Sequence, residues 1–487
     1  MSGQSNIQWP IKDADYNDND LNIDSKMVRF FAQSTVNSVK PSKTFLDGRW
    51  FLYDRNNEGN QLYSAICLML GSMLSKELKT SNIPLGIMYA AQGDTNISKW
   101  ISDAYYDGTD SNPGIYYNGM VNPFDGLNVK GVVWYQGCND SSKAIQYKHN
   151  LQSLMECFRN LFNDSTLPFF VVQLPCFDGD EGNKFNFAYV RDAQYEACLA
   201  DENAYLIATC DGGDPCYIHP RQKRYICKRL TKSILATIYN YQNAKEGPTV
   251  NKIEKQNDKL ILSFKNGEGL HSETCKGFIL SGKNGRFFDA NAKIEGGKIL
   301  VSSEKVSDPM YVRYGFSRSP FLDIYNSDGF LLSPFRNDDY DRDIDILNYS
   351  DISCYKKDPS GADCNVLIED EKLVIEKGES EINYSAVNLD RWSPVNHTGT
   401  KFRFVYKGSN SGAKIQIRFI ESSYEIWAFT FEDDSSEEEI KEVDVSSLSC
   451  TYNRTNNRFD FESIMQVGVL LEGKQEVKIS ISEARFI

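Results

Sequence analysis

The hydrophobic positions divide the chain into three textures. Up to about residue 240, short apolar runs alternate with longer helical patterns. Ile83–Ala90, Val129–Tyr135, Pro168–Leu174 and Tyr205–Thr209 read as buried strands, each separated from the next by a helix-length segment or a long loop. That rhythm predicts a parallel sheet covered on both faces. Within it, residues 145–163 predict a helix, because Tyr147, Leu151, Leu154, Met155, Phe158 and Phe162 fall on one face. From about 245 to 335 the pattern shortens to alternating runs such as Leu260–Phe264, Gly277–Leu280 and Lys298–Ser302, which read as antiparallel strands of a small β unit. The acidic, glycine-free stretch Arg336–Asp345 reads as a linker. Beyond it, period-two strands recur at Phe402–Tyr406, Lys414–Ile420, Tyr424–Phe431, Met465–Leu471 and Glu476–Ile481, which predicts a β-sandwich. The expected units are residues 1–244, 245–338 and 346–487.

Composition narrows the class. A chain of 487 residues with 41% hydrophobic and 13% aromatic content can fill several cores. The longest apolar stretches, Ile66–Leu74 and Leu167–Pro175, fall well short of the roughly 18 residues that span a bilayer, so no membrane helix is expected. The net charge of −14 speaks against a nucleic-acid partner, which needs a Lys/Arg stripe. Most of that charge belongs to residues 341–487, with 28 acidic and 17 basic side chains. Within that segment the acidic run Glu432–Glu439 reads as a solvated loop. Twelve cysteines without a Cys-x-x-Cys pair, and four scattered histidines, point to no structural metal and no metal cofactor.

The scarcity of histidine directs attention to His219, because a hydrolase working near neutral pH without a metal usually needs an imidazole base. His219 follows the Tyr205–Thr209 strand in Asp211-Gly212-Gly213-Asp214-Pro215-Cys216-Tyr217-Ile218-His219-Pro220. Loops at the carboxyl ends of parallel strands line the ligand crevice of open α/β sheets. Three further turns offer complementary chemistry. Gly3-Gln4-Ser5-Asn6 presents a hydroxyl, Gly137-Cys138-Asn139-Asp140 an amide donor, and Gly93-Asp94-Thr95 a close backbone N–H.

The order of these elements resembles the SGNH hydrolase superfamily. The stretches Gly86-Ile87-Met88, Tyr117-Asn118-Gly119-Met120-Val121, Lys130-Gly131-Val132-Val133-Trp134-Tyr135-Gln136-Gly137, Arg191-Asp192-Ala193-Gln194 and Ile218-His219-Pro220-Arg221 resemble the sialate O-acetylesterases, as do Val312-Arg313-Tyr314 and Ser333-Pro334-Phe335-Arg336. The resemblance covers roughly residues 1–338. It implies a flavodoxin-like three-layer α/β/α fold with a parallel sheet, and no cofactor. It further implies Ser5 as nucleophile, His219 as base, and an oxyanion hole of the Ser5 and Gly93 N–H groups with the Asn139 amide. Gln4, Asn6 and Gln136 are implied to bind substrate.

This sequence departs from the family in several places. Cys138 stands where a Glu is common. Counted from the Gln136-Gly137 pair, the family's Asn would fall at Asp140, so Asn139 is placed by the wider superfamily's Gly-x-Asn-Asp spacing. Asp94 replaces the second glycine of a Gly-Gly-Thr. The positions two and three before His219, where the acidic partner often lies, hold Tyr217 and Cys216. Asp214 is the preferred triad acid, with Asp211 or a backbone carbonyl as alternatives. In the family a strand precedes the nucleophile turn, and usually a β domain and a signal peptide before that. Here only Met1-Ser2 precedes Gly3, so either the start is truncated or the sheet lacks its first strand. Residues 1–20 are polar and acidic and hold no signal segment; a truncated start would imply a secreted or lysosomal protein.

The expected activity is hydrolysis of O-acetyl esters of sialic acids or related acetylated carbohydrates through an acetyl-Ser5 intermediate. The alternatives are an acetylxylan-type deacetylase of the same superfamily and an inactive glycan-binding relative. The C-terminal sandwich resembles galactose-binding-like or carbohydrate-binding modules, with Trp392 and Trp427 as either sugar platforms or core residues. Cys210, Cys216 and Cys227 are near enough in sequence to pair around the His219 loop, or to remain reduced.

Overall fold

A computed structural model describes every residue except 109, 142, 180–185, 284–286, 339–346, 348–354, 371, 391–398, 422–423, 454–458 and 460–463. Its first unit is built on a five-stranded sheet. The strand order is Ala90–Ala91, Ser2–Gly3, Val132–Tyr135, Phe169–Val172, Ala204–Ile207, and all pairings are parallel. Helices Ala144–Leu161 and Asn186–Leu199 cover one face, and Ala65–Leu78 and Arg224–Tyr239 the other. Alternate strand residues divide between the two cores. Trp134, Val171 and Leu206 pack with Tyr147, Leu151, Val190 and Ala193. Val133, Phe170 and Tyr205 pack with Ile66, Leu70, Ile226 and Leu230. This is the three-layer α/β/α arrangement expected of a sheet whose strands are apolar on both sides.

Two expectations about the strands are revised. The sheet does contain a strand ahead of the turn that bears Ser5, only two residues long. Ser2 pairs with Ala90 and Trp134, and Gly3 with Ala91 and Tyr135, so the segment lies between its neighbours and not at an edge. The run Ile83–Ala90 is not one strand. Leu85–Met88 pairs in parallel with Val28–Ala32, which pairs antiparallel with Arg49–Phe51, forming a separate three-stranded sheet. Only Ala90–Ala91 joins the main sheet. The apolar run is continuous across Tyr89, so hydropathy carries no mark of the change of partner.

Between residues 249 and 336 lie two four-stranded antiparallel sheets. Their strands include Lys259–Lys265, Phe278–Ser281 and Lys298–Ser302 at the expected places. The start of the expected linker is instead anchored. Arg336 lies in the strand Phe335–Arg336, and its guanidinium donates to Asp192 at 2.6 Å and to Asp338 at 3.2 Å. Asp338 also receives Arg313 at 2.8 and 2.5 Å. These charges are almost fully buried, and they share hydrogen bonds, which is the condition under which buried ions are tolerated. The remainder of the linker, 339–345, lies outside the described residues. The fully buried Arg191 adds a second tie, donating to the carbonyls of Pro175 and Ser317.

The C-terminal unit stacks a six-stranded sheet on a five-stranded one, with Phe404, Ile415, Ile417, Phe419, Val469 and Ile481 between them. Trp427 points into this core against Phe459, so it is not a sugar platform. Trp392 lies outside the described residues. The acidic run is not uniformly solvated. Asp433 is fully buried and accepts from the Tyr406 hydroxyl at 2.8 Å, the Ser411 hydroxyl at 2.6 Å and the Ser411 N–H at 2.9 Å.

Candidate active site

The turn that bears Ser5 is set by a close approach of backbones. Gly3 has φ +143°, and a Cβ there would lie 2.2 Å from the Tyr135 carbonyl oxygen, so only glycine fits. Directly after it the chain turns into the single helical turn Ser5–Gln8. The Gln4 side chain braces this turn, its Oε1 accepting from the Gly137 N–H at 3.0 Å and the Asn139 N–H at 3.4 Å. Among the described residues the Ser5 N–H has no protein acceptor. First-turn amides of a helix have no intrahelical partner.

The imidazole arrives from the loop after Ala204–Ile207. His219 Nε2 lies 2.8 Å from Ser5 Oγ, although 214 residues separate them. The imidazole stacks on Trp9, with centroids 4.7 Å apart and planes inclined by 23°. Burial, and then the charge of Lys223, hold the His219 pKa below its usual value. A neutral imidazole beside a serine hydroxyl is placed to take its proton.

The other expected residues are divided. Asn6 is buried, bonding Ile218 O through Nδ2 at 2.9 Å and Lys223 Nζ through Oδ1 at 2.7 Å. Gln136 is fully buried; its Nε2 donates to Thr95 O at 2.9 Å and Asp140 Oδ2 at 2.5 Å. Both amides therefore join loops within the protein and are not presented to a ligand. Gly93 sits beside Ser5, but its N–H donates to Gln8 Oε1 at 2.7 Å. Asn139 is exposed, and its amide donates to Asn96 Oδ1. Asp94, which replaces a family glycine, has φ +56°, a left-handed conformation that Asp tolerates better than most residues.

The structure does not bring Asp214 to His219. The Asp214 carboxylate accepts the Cys216 N–H at 2.8 Å within its own loop. Asp211 is engaged by Arg229 at 2.8 Å and by the Tyr325 hydroxyl at 3.2 Å. Among the described residues no carboxylate and no backbone carbonyl hydrogen-bonds His219. Cys210, Cys216 and Cys227 are free thiols, the first and last in the core and Cys216 exposed. No group of three or more His, Cys, Asp or Glu among the described residues is placed to hold a metal ion. No helix among them is long and apolar enough to cross a membrane.

A family model described as carbohydrate esterase, sialic acid-specific acetylesterase, matches residues 1–233. The chain is also similar to a solved carbohydrate acetylesterase from Xanthomonas citri, with 30% identity and a TM-score of 0.63, covering 69% of this chain and 79% of that one. The chain belongs to the carbohydrate acetylesterases. Among curated relatives, the sialate O-acetylesterase of Homo sapiens is 26% identical over 303 residues, 54% of this chain and 57% of that protein. The Mus musculus sialate O-acetylesterase is 25% identical over 348 residues, 58% and 64% respectively. The chain thus spans somewhat less than two thirds of the length of these relatives.

The sequence did not single out Trp9, Gln8, Asn96 or Lys223. Trp9 stands four positions after Ser5, where an aromatic ring beside a turn is a usable signal. Lys223 offered none. It stands at the boundary of the helix Arg224–Tyr239, where a lysine is ordinarily solvated, and only the tertiary packing buries it completely.

Proposed function

We propose that the protein is a serine esterase that removes O-acetyl groups from sialic acids or related acetylated carbohydrates. The contact between Ser5 Oγ and His219 Nε2 at 2.8 Å, at the carboxyl end of a parallel sheet, carries the reading. His219 takes the Ser5 proton as Oγ attacks the acetyl carbonyl. The Ser5 N–H faces the developing oxyanion, with Gly93 and Asn139 supplying further donors once Gln8 and Asn96 release them. Collapse expels the sugar oxygen, which takes the proton from His219, and leaves acetyl-Ser5. Water, deprotonated at His219, then releases acetate.

Acetate release from 9-O-acetyl sialic acid, compared with release from acetylated xylan, tests the substrate class; faster turnover of xylan would move the assignment to a polysaccharide deacetylase. With 4-nitrophenyl acetate, the Ser5→Ala variant is expected to lose at least about a thousandfold in kcat. Full activity in that variant refutes the serine mechanism, and an inert wild-type chain would indicate a glycan-binding relative. Residues 346–487 are proposed to form a separate module that binds neutral glycans, a reading supported by their two-sheet sandwich and acidic surface.

A further inference from the structure

A serine hydrolase must hold its imidazole in register with its nucleophile, and the usual device is a carboxylate on the second ring nitrogen. Here that device is absent among the described residues, since Asp214 and Asp211 are both committed elsewhere. A different connection joins the two halves of the pair. Asn6 follows Ser5 directly, and its Nδ2 donates at 2.9 Å to the carbonyl of Ile218, the residue before His219. Its Oδ1 accepts at 2.7 Å from Nζ of Lys223, four residues after His219. One amide therefore grips the base loop at both ends.

We infer that Lys223 is a positioning residue for the catalytic pair, acting through Asn6 to lock the turn that bears Ser5 to the loop that bears His219. An amide can bind its surroundings in either of two orientations, and a donor at Lys223 permits only the one that leaves Nδ2 facing Ile218 O. Lys223 is fully buried and has no carboxylate partner among the described residues. Removing an ammonium from water without pairing it is costly, so its retention in such a place points to a task that an apolar side chain could not perform.

The titratable groups facing Lys223 are the Tyr135 ring, with its centroid 5.8 Å from Nζ, the Cys138 and Cys227 thiols, and His219. Burial pushes the Lys223 pKa down to about 7. Both the ammonium and the free amine donate to Asn6, so the lock survives titration. Only the charge felt by His219 changes.

The proposal rests on the esterase reading, and two measurements on the full chain separate them. In Lys223→Met, which keeps the volume and removes the donor, kcat for 4-nitrophenyl acetate is expected to fall roughly tenfold to a hundredfold with KM little changed. Asn6→Asp retains the Lys223 contact and loses the donor to Ile218, and the same loss is expected. The second measurement is the NMR titration of His219, identified among four histidines by its disappearance in His219→Gln. Its midpoint should rise in Lys223→Met, because a neighbouring cation has been removed. Wild-type kcat in Asn6→Asp, or an unchanged His219 midpoint in a folded Lys223→Met, overturns the proposal. If Lys223→Met does not fold, the Asn6→Asp kinetics and its His219 titration decide. If the wild-type chain has no esterase activity, the esterase reading fails alone, and the His219 midpoints still test the contact.

Discussion

The geometry at Gly3 makes a quantitative demand on the placement of Ser5. In Gly3→Ala the new Cβ would lie 2.2 Å from the Tyr135 carbonyl oxygen and 2.7 Å from its carbon. An ordinary contact begins at 3.4 Å, so the backbones must separate by about 1 Å. The obstacle is backbone, which cannot swing aside as a long side chain would. Overpacking of this kind costs roughly 1–3 kcal/mol, and the φ of +143° adds about 1–2 kcal/mol for a residue with a Cβ. Gly3 is two residues from Ser5, so the same displacement passes to Oγ. A misplacement of 1 Å can reduce a rate by about a hundredfold. The variant should therefore unfold at lower urea, by the equivalent of roughly 2–5 kcal/mol, and should lose about a hundredfold in kcat towards 4-nitrophenyl acetate. Wild-type kcat together with a wild-type urea midpoint would refute the reasoning.

Three further outcomes are expected. Asp214→Ala should reduce kcat less than about tenfold, because its carboxylate bonds Cys216 and not His219, whereas loss of a true triad acid costs about 10⁴-fold; a loss of that size would mean that the loop rearranges on substrate binding. With His219 held below its ordinary 6.5 by burial and by Lys223, the base is the unprotonated form, so kcat/KM should rise with pH through a midpoint below 6.5 and level off above it. A midpoint above 6.5 would contradict the described environment. Asp433→Ala should destabilise the sandwich by roughly 2–4 kcal/mol, because the buried Tyr406 hydroxyl and the Ser411 donors lose their acceptor; an unchanged urea midpoint would refute it.

Much of the architecture was legible along the chain because it depends on local periodicity. The expected helix at 145–163 forms at Ala144–Leu161 and buries Tyr147, Leu151, Leu154, Met155 and Phe158. The strand expected over Val129–Tyr135 forms at Val132–Tyr135. Ser5 and His219 stood out because a hydroxyl in a glycine turn and a scarce imidazole after a strand, taken with the order of the family's motifs, are signals carried along the chain, and the fold brings the two side chains within 2.8 Å. What a side chain touches across the fold is a different quantity. Hydropathy does not distinguish Leu85–Met88 from Ala90–Ala91, yet the two pair in different sheets. Gln136 and Asn6 had the composition of ligand-binding residues, and packing made them internal struts. Asp214 was near His219 in sequence but is turned to its own loop, while Lys223, which carried no local signal, reaches Asn6 across 217 residues. The sequence by itself determined most of the elements and pointed to Ser5 and His219. Only the tertiary structure decided which groups support them, because burial and partner choice depend on contacts between segments that are remote along the chain.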